Sequence, residues 1–142
     1  MLEWKSIIYC SGSEWAPDDP WGREVLRVES GGAFEYENRH RGSGKRVEGV
    51  INAGQLREIG AHFVVAGYPA VPEHDIPPGA SVISFDVEGR GARHRLQMDY
   101  YAAKKFPGYR ELLLRFERWT QVLREGADGE SAGLLRERET PL

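Results

Sequence analysis

The sequence predicts an α+β fold: an antiparallel sheet of about five to six strands with two helices packed on one face. Three observations carry that expectation. Short stretches alternate apolar and polar residues between glycine-bearing turns, two longer stretches repeat apolar residues every three or four positions, and the order along the chain is strands, helix, hairpin, helix. A layer of helices laid on one antiparallel sheet is the simplest way to bury both kinds of apolar face.

Residues 4–10 (WKSIIYC) are rich in β-formers and stop at Ser11-Gly12-Ser13, so they read as the first strand. The segment 11–22 (SGSEWAPDDPWG) is a loop, in which turn-forming Gly, Pro and Asp accompany two tryptophans. Residues 24–30 place Leu26 and Val28 on one face and Val25, Arg27 and Glu29 on the other. Gly31-Gly32 signals a hairpin, and 33–39 follows in strict alternation with Phe34 and Tyr36 on one face. After the turn 41–44, a strand over 46–51 completes a meander. Asn52 is placed to cap a helix over 52–66, with Gln55 completing a capping box, Leu56, Ile59, Gly60, Phe63 and Val64 as its apolar stripe, and Gly67 as its stop. The segment 68–80 (YPAVPEHDIPPGA) carries four prolines and reads as a long stiff loop. Residues 81–88 and 93–100 form a hairpin around Gly89-Arg90-Gly91. Pro107 opens a helix over 108–125, whose Tyr109, Leu112, Phe116, Trp119 and Leu123 repeat at 3-4-3-4 spacing, widened by Leu113 and Val122. Residues 1–125 are thus expected to be one domain, and 126–142 a flexible tail.

Bulk properties exclude several classes. With 40% apolar and 29% charged residues and a formal net charge of −3, the chain is a globular domain, neither disordered nor a strong polyanion binder. Its single cysteine, Cys10, excludes an internal disulfide and a cysteine-based zinc site. The start of the chain lacks the pattern of a secretory signal and no apolar run is long enough to span a bilayer, so the expectation is a soluble, cytoplasmic protein with no membrane partner.

Familiar chemical motifs are incomplete. Gly44-Lys45 would need Gly at 39 and Ser or Thr at 46 to be a phosphate loop, and both positions hold arginine. Ser11 and Ser13 lack the frame of a hydrolase elbow, and Cys10 has no local cations to stabilise a thiolate. His40, His62, His74 and His94 show no metal-ligand spacing, so no metal or other cofactor is expected. Only Glu73-His74-Asp75 gathers ionisable groups on a stiff loop. In the 11–22 loop, Trp15 and Trp21 stand beside Asp18 and Asp19, the pattern of an anchor with a polar rim or of a lid over the sheet. Arg39, Arg41, Lys45 and Arg46 share one hairpin, and Arg90, Arg93 and Arg95 another; a basic patch forms if the two turns meet at one end of the sheet.

The run of elements from Arg23 to Arg124 resembles a group of uncharacterised bacterial domains of unknown function. The likeness lies in the strand pair around a glycine turn (28–36), the Gly49-Val50-Ile51 strand, the short helix ending in Phe63 to Gly67, the proline-bearing loop, and the last hairpin and amphipathic helix. It covers about 100 of the 142 residues. Members often carry a paired-cysteine motif before the first long strand, behind a lipoprotein signal, whereas this chain has Cys10 alone. The resemblance implies the fold and transfers no active site.

The leading functional expectation is a non-catalytic protein-binding or accessory module, of the kind that includes bacterial immunity proteins. Its recognition surface would be the 11–22 and 68–80 loops, through Trp15, Trp21, Asp18, Asp19, Tyr68, His74 and Asp75. The first alternative is a small hydrolase or metal-dependent enzyme working from the 73–75 loop. The second is a phosphate or nucleic-acid binder using the basic turns.

Overall fold

The computed structural model describes residues 3–16, 19–127 and 129–142. Its strands are β1 (Trp4–Ser11), β2 (Arg23–Glu29), β3 (Ala33–His40), β4 (Ser43–Ile51), β5 (Val82–Gly89), β6 (Arg93–Asp99) and β7 (Leu134–Pro141). Its helices are α1 (Ala53–Ala66), the single turn α2 (Tyr100–Ala103) and α3 (Tyr109–Glu125). The α+β class stands, with seven strands and three helices in place of five to six and two.

All seven strands form one antiparallel sheet in the order β6-β5-β1-β2-β3-β4-β7. β1 to β4 are a meander. The chain then returns through α1 to lay β5 against the free side of β1, and after β6 it crosses back through α2 and α3 to lay β7 against β4. Both long helices therefore cross the same face. Phe63 of α1 meets Phe85, and Phe116 of α3 meets both Phe85 and its register partner Tyr9.

Register explains the core. One row of facing residues runs Leu96, Phe85, Tyr9, Leu26, Tyr36, Val47 across six strands, and every member is buried. The α3 stripe read from the sequence is buried throughout. In α1 only Ile59 and Phe63 are buried, while Val64 is exposed, because the helix meets the sheet along a narrower seam than the stripe suggested. Asn52 caps α1 by accepting the Gln55 N–H at 2.9 Å, but Gln55 Oε1 is buried without a partner, so the reciprocal half of the capping box is absent.

Among the described residues, no helix lies on the opposite face of the sheet. It carries facing opposite charges, Arg27 against Glu35, Glu37 against Arg46, Asp86 against Arg95 and Glu48 against Arg138, which keep this surface solvated without a large net charge.

The flexible tail expected over 126–142 is corrected. A 3-10 turn (Glu130–Ala132) leads into β7, Leu134 and Ala132 enter the core, and the Trp119 indole N–H donates to the Ala132 carbonyl at 2.9 Å. The segment 68–80 also has a definite place. It braces the outer side of β6, where the Tyr68 ring meets His94 edge-on and the backbone N–H of Asp99 donates to His74 Nε2 at 3.1 Å.

Candidate functional site

Two residues along the strands from the apolar row, the inward-facing side chains change character. This next row reads Met98, Ile83, Ser11, Glu24, Asn38, Lys45. Four of these are polar, and they occupy the end of the sheet where the 11–22 loop leaves β1 and where α3 finishes. Here the helices no longer seal the face, and a cleft of about 830 Å³ opens. Its walls are the 11–22 loop with Trp21, the 79–82 turn, α2 with Tyr100 and Tyr101, and the outer side of α3 with Leu114, Glu117, Arg118 and Gln121.

The floor is a buried polar relay. Glu24 is 5% exposed; its carboxylate accepts the Tyr36 hydroxyl proton at 2.6 Å on one oxygen and Arg124 Nη1 at 2.6 Å on the other. Burial pushes the Glu24 carboxyl above the usual carboxylate range, held back by the Tyr36 hydrogen bond and by the charge of Arg124. Tyr36 is pushed far above the phenol range by the same burial and by the adjacent carboxylate. At the end of α3, Lys45 Nζ donates to the Arg124 carbonyl at 3.0 Å, placing a cation on the negative end of the helix. The Arg124 guanidinium also lies 4.3 Å from the centre of the Trp21 ring. The relay thus runs from Tyr36 through Glu24 and Arg124 to an indole that is 53% exposed.

Asp19 fixes the loop that carries Trp21. Its carboxylate accepts the backbone N–H groups of Ser13 at 2.8 Å and of Trp21 and Gly22 at 3.1 Å each. Asn38 Nδ2 donates to the Trp21 carbonyl at 2.7 Å. The loop crosses itself tightly at Gly12 and Gly22, both at positive φ: a Cβ on Gly12 would fall 2.1 Å from the Gly22 carbonyl oxygen. On the far wall, Tyr100 donates its hydroxyl proton to Glu117 at 2.8 Å and carries Lys104 over its ring at 4.3 Å.

The residues singled out from sequence divide accordingly. Trp21 lines the cleft, while Asp19 spends its carboxylate on the loop backbone. Asp18 lies outside the described residues. Trp15 is 67% exposed beside the β3–β4 turn, outside the cleft lining. Among the described residues of the 68–80 loop, Gly79 and Ala80 line the cleft; Tyr68 packs its ring on Phe63 and His94. His74 donates from Nδ1 to the Pro72 carbonyl at 2.8 Å and accepts the Asp99 N–H on Nε2, so both ring nitrogens serve the backbone. Asp75 is exposed in the same loop, and among the described residues no three His, Cys, Asp or Glu side chains gather as a metal set.

The single basic patch is corrected by topology. The β3–β4 turn with Arg39, Arg41, Lys45 and Arg46 lies at the Ser11 end of the sheet, and the β5–β6 turn with Arg90, Arg93 and Arg95 lies at the Trp4 end, with β1 and β2 between the hairpins. Most of these cations are also paired locally: Arg39 with Glu37, Arg46 with Glu35 and Glu37, Lys45 with Glu139, Arg93 with Asp86 and Arg90 with Glu3. A second hollow, of about 680 Å³ on the helix-free face, is lined largely by these cross-strand charges and has no exposed aromatic group.

No family model matches the chain, no curated protein matches it in sequence, and no solved structure matches its fold. Among the described residues no helix is long and apolar enough to cross a membrane.

Proposed function

We propose that this is a non-catalytic binding module that recognises a protein partner through the cleft at the Ser11 end of the sheet. The observation that supports it most is the combination of an exposed apolar rim, formed by Trp21, Val82, Tyr101 and Leu114, with a floor whose ionisable groups are spent on one another. An aromatic anchor point ringed by polar groups is the usual make-up of a recognition hot spot. Both oxygens of Glu24 are engaged by Tyr36 and Arg124, so this buried carboxylate works as a brace.

The test is site-directed photo-cross-linking in cells, with a benzophenone amino acid placed at Tyr101 and, as control, at Glu48 on the helix-free face. A discrete adduct from position 101 alone, lost on adding Trp21→Ala while the circular dichroism spectrum is unchanged, supports the reading. The same adducts from both positions, or none from position 101, would sink it.

A further inference from the structure

We infer that the group this cleft seats is an aromatic side chain of a polypeptide segment, stacked on the free face of Trp21. The inference rests on the partner-binding reading and adds the chemistry of what is bound.

Trp21 is already arranged for stacking. Its backbone is held by Asp19 and Asn38, and one face of its ring is backed by the Arg124 guanidinium, itself pinned by Glu24. A ring with one face covered that is still 53% exposed leaves its other face open at the rim of the cleft. Holding the indole beforehand removes much of the ordering entropy that a floppy aromatic would lose on binding.

The backing cation decides which ligand suits that face. An indole attracts a cation through the negative charge above its ring, and here Arg124 has taken that interaction from behind. A second cation on the front would share the same ring charge and be repelled by the first, whereas an uncharged aromatic ring gains offset stacking on a polarised partner. The rest of the rim agrees, because Tyr101 (67% exposed), Leu114 and Val82 supply apolar walls for a ring. Glu117, the carboxylate that would favour a cation, already accepts the Tyr100 hydroxyl and has Lys104 nearby on the same tyrosine.

The four tryptophans make the test direct, since each gives one indole N–H signal in a nitrogen–proton correlation spectrum of the full chain. Trp21 reports on the cleft, Trp15 on exposed surface outside it, and Trp119 on the core. Capped Gly-X-Gly peptides with X as Trp, Tyr, Leu, Arg or Glu are titrated in turn. The expected result is a saturable shift of the Trp21 signal with the Trp and Tyr peptides, larger than with the others, while Trp15 and Trp119 stay still. In Trp21→Leu, which keeps an apolar side chain without a ring, the accompanying shift of the Tyr101 amide is lost. A larger response to the Arg peptide, equal shifts at Trp15 and Trp21, retention of the Tyr101 shift in Trp21→Leu, or no response to any peptide would each overturn the inference. Because the cross-linking at position 101 does not depend on these peptides, a positive adduct beside a negative titration would remove the aromatic ligand and leave the binding module standing.

Discussion

Replacing Arg124 with methionine probes the relay at its centre. The variant keeps a flexible apolar stem but removes the charge that pairs with Glu24, which is 5% exposed and has only the Tyr36 hydroxyl left as a described partner. Breaking one side of a buried ion pair costs about 3–5 kcal/mol. The Arg124 side chain retains 18% exposure, so the lower end applies, about 3 kcal/mol at pH 7.5. For a domain of this size that is a fall in Tm of roughly 10 °C. The pH dependence follows from Glu24. Its carboxyl is already raised by burial, and losing Arg124 raises it further. An acid whose folded pKa lies above its unfolded value contributes stability that is full below the unfolded pKa and lost as pH rises through the folded one. The deficit of Arg124→Met relative to the parent is therefore expected to be small near the ordinary carboxylate pKa and complete at neutral pH, and Glu24→Gln added to the variant recovers part of it. Urea unfolding followed by circular dichroism at both pH values measures this. A loss under about 1 kcal/mol at neutral pH, or one that does not change with pH, would refute the account of Glu24 as a charge held in place by Arg124.

Other substitutions separate the loop, the turn and the edge. Asp19→Ala removes the acceptor of three loop N–H groups; because Ser13 and Trp21 are exposed and Gly22 alone of the three is buried, global stability should fall by only about 1 kcal/mol, whereas hydrogen exchange at Ser13, Trp21 and Gly22 should quicken markedly. Gly12→Ala places a Cβ at 2.1 Å from the Gly22 carbonyl oxygen at positive φ, so the denaturation midpoint should drop by the equivalent of about 1–3 kcal/mol; an unchanged midpoint would mean that the loop crossing is not required. His74→Ala takes away the acceptor of the Asp99 N–H and a ring packed on Phe106, with an expected loss of about 1–2 kcal/mol and faster exchange at Asp99, read by calorimetry and hydrogen exchange.

The elements most legible in the sequence are those whose pattern matches their burial. Phe34 and Tyr36 alternate because β3 has one wet face, and the α3 stripe repeats because that helix lies along the sheet. β7 was hidden because Leu134 is its one buried residue, a register shift interrupts its pairing with β4, and the rest of the strand is charged like a tail. In the site, Trp21 stood out as an aromatic group in a turn-rich loop. The relay beneath it did not, because Tyr36 and Arg124 lie 12 and 100 positions from Glu24. A signal for Glu24 was nevertheless present: it shares strand parity with Leu26 and Val28, and a carboxylate on the apolar face of a strand must find partners inside the fold.

The strand order also governs how the chain is made. The meander β1 to β4 can close as soon as it is synthesised, but its two outer strands gain their lasting neighbours only when β5 and β7 arrive, after α1 and after α3. Until then β1, carrying Ile7 and Tyr9, presents an unpaired edge, the template on which a second nascent chain would add a strand. Slowing translation between β4 and β5 is therefore expected to increase aggregation during synthesis while leaving the stability of molecules that have already folded unchanged.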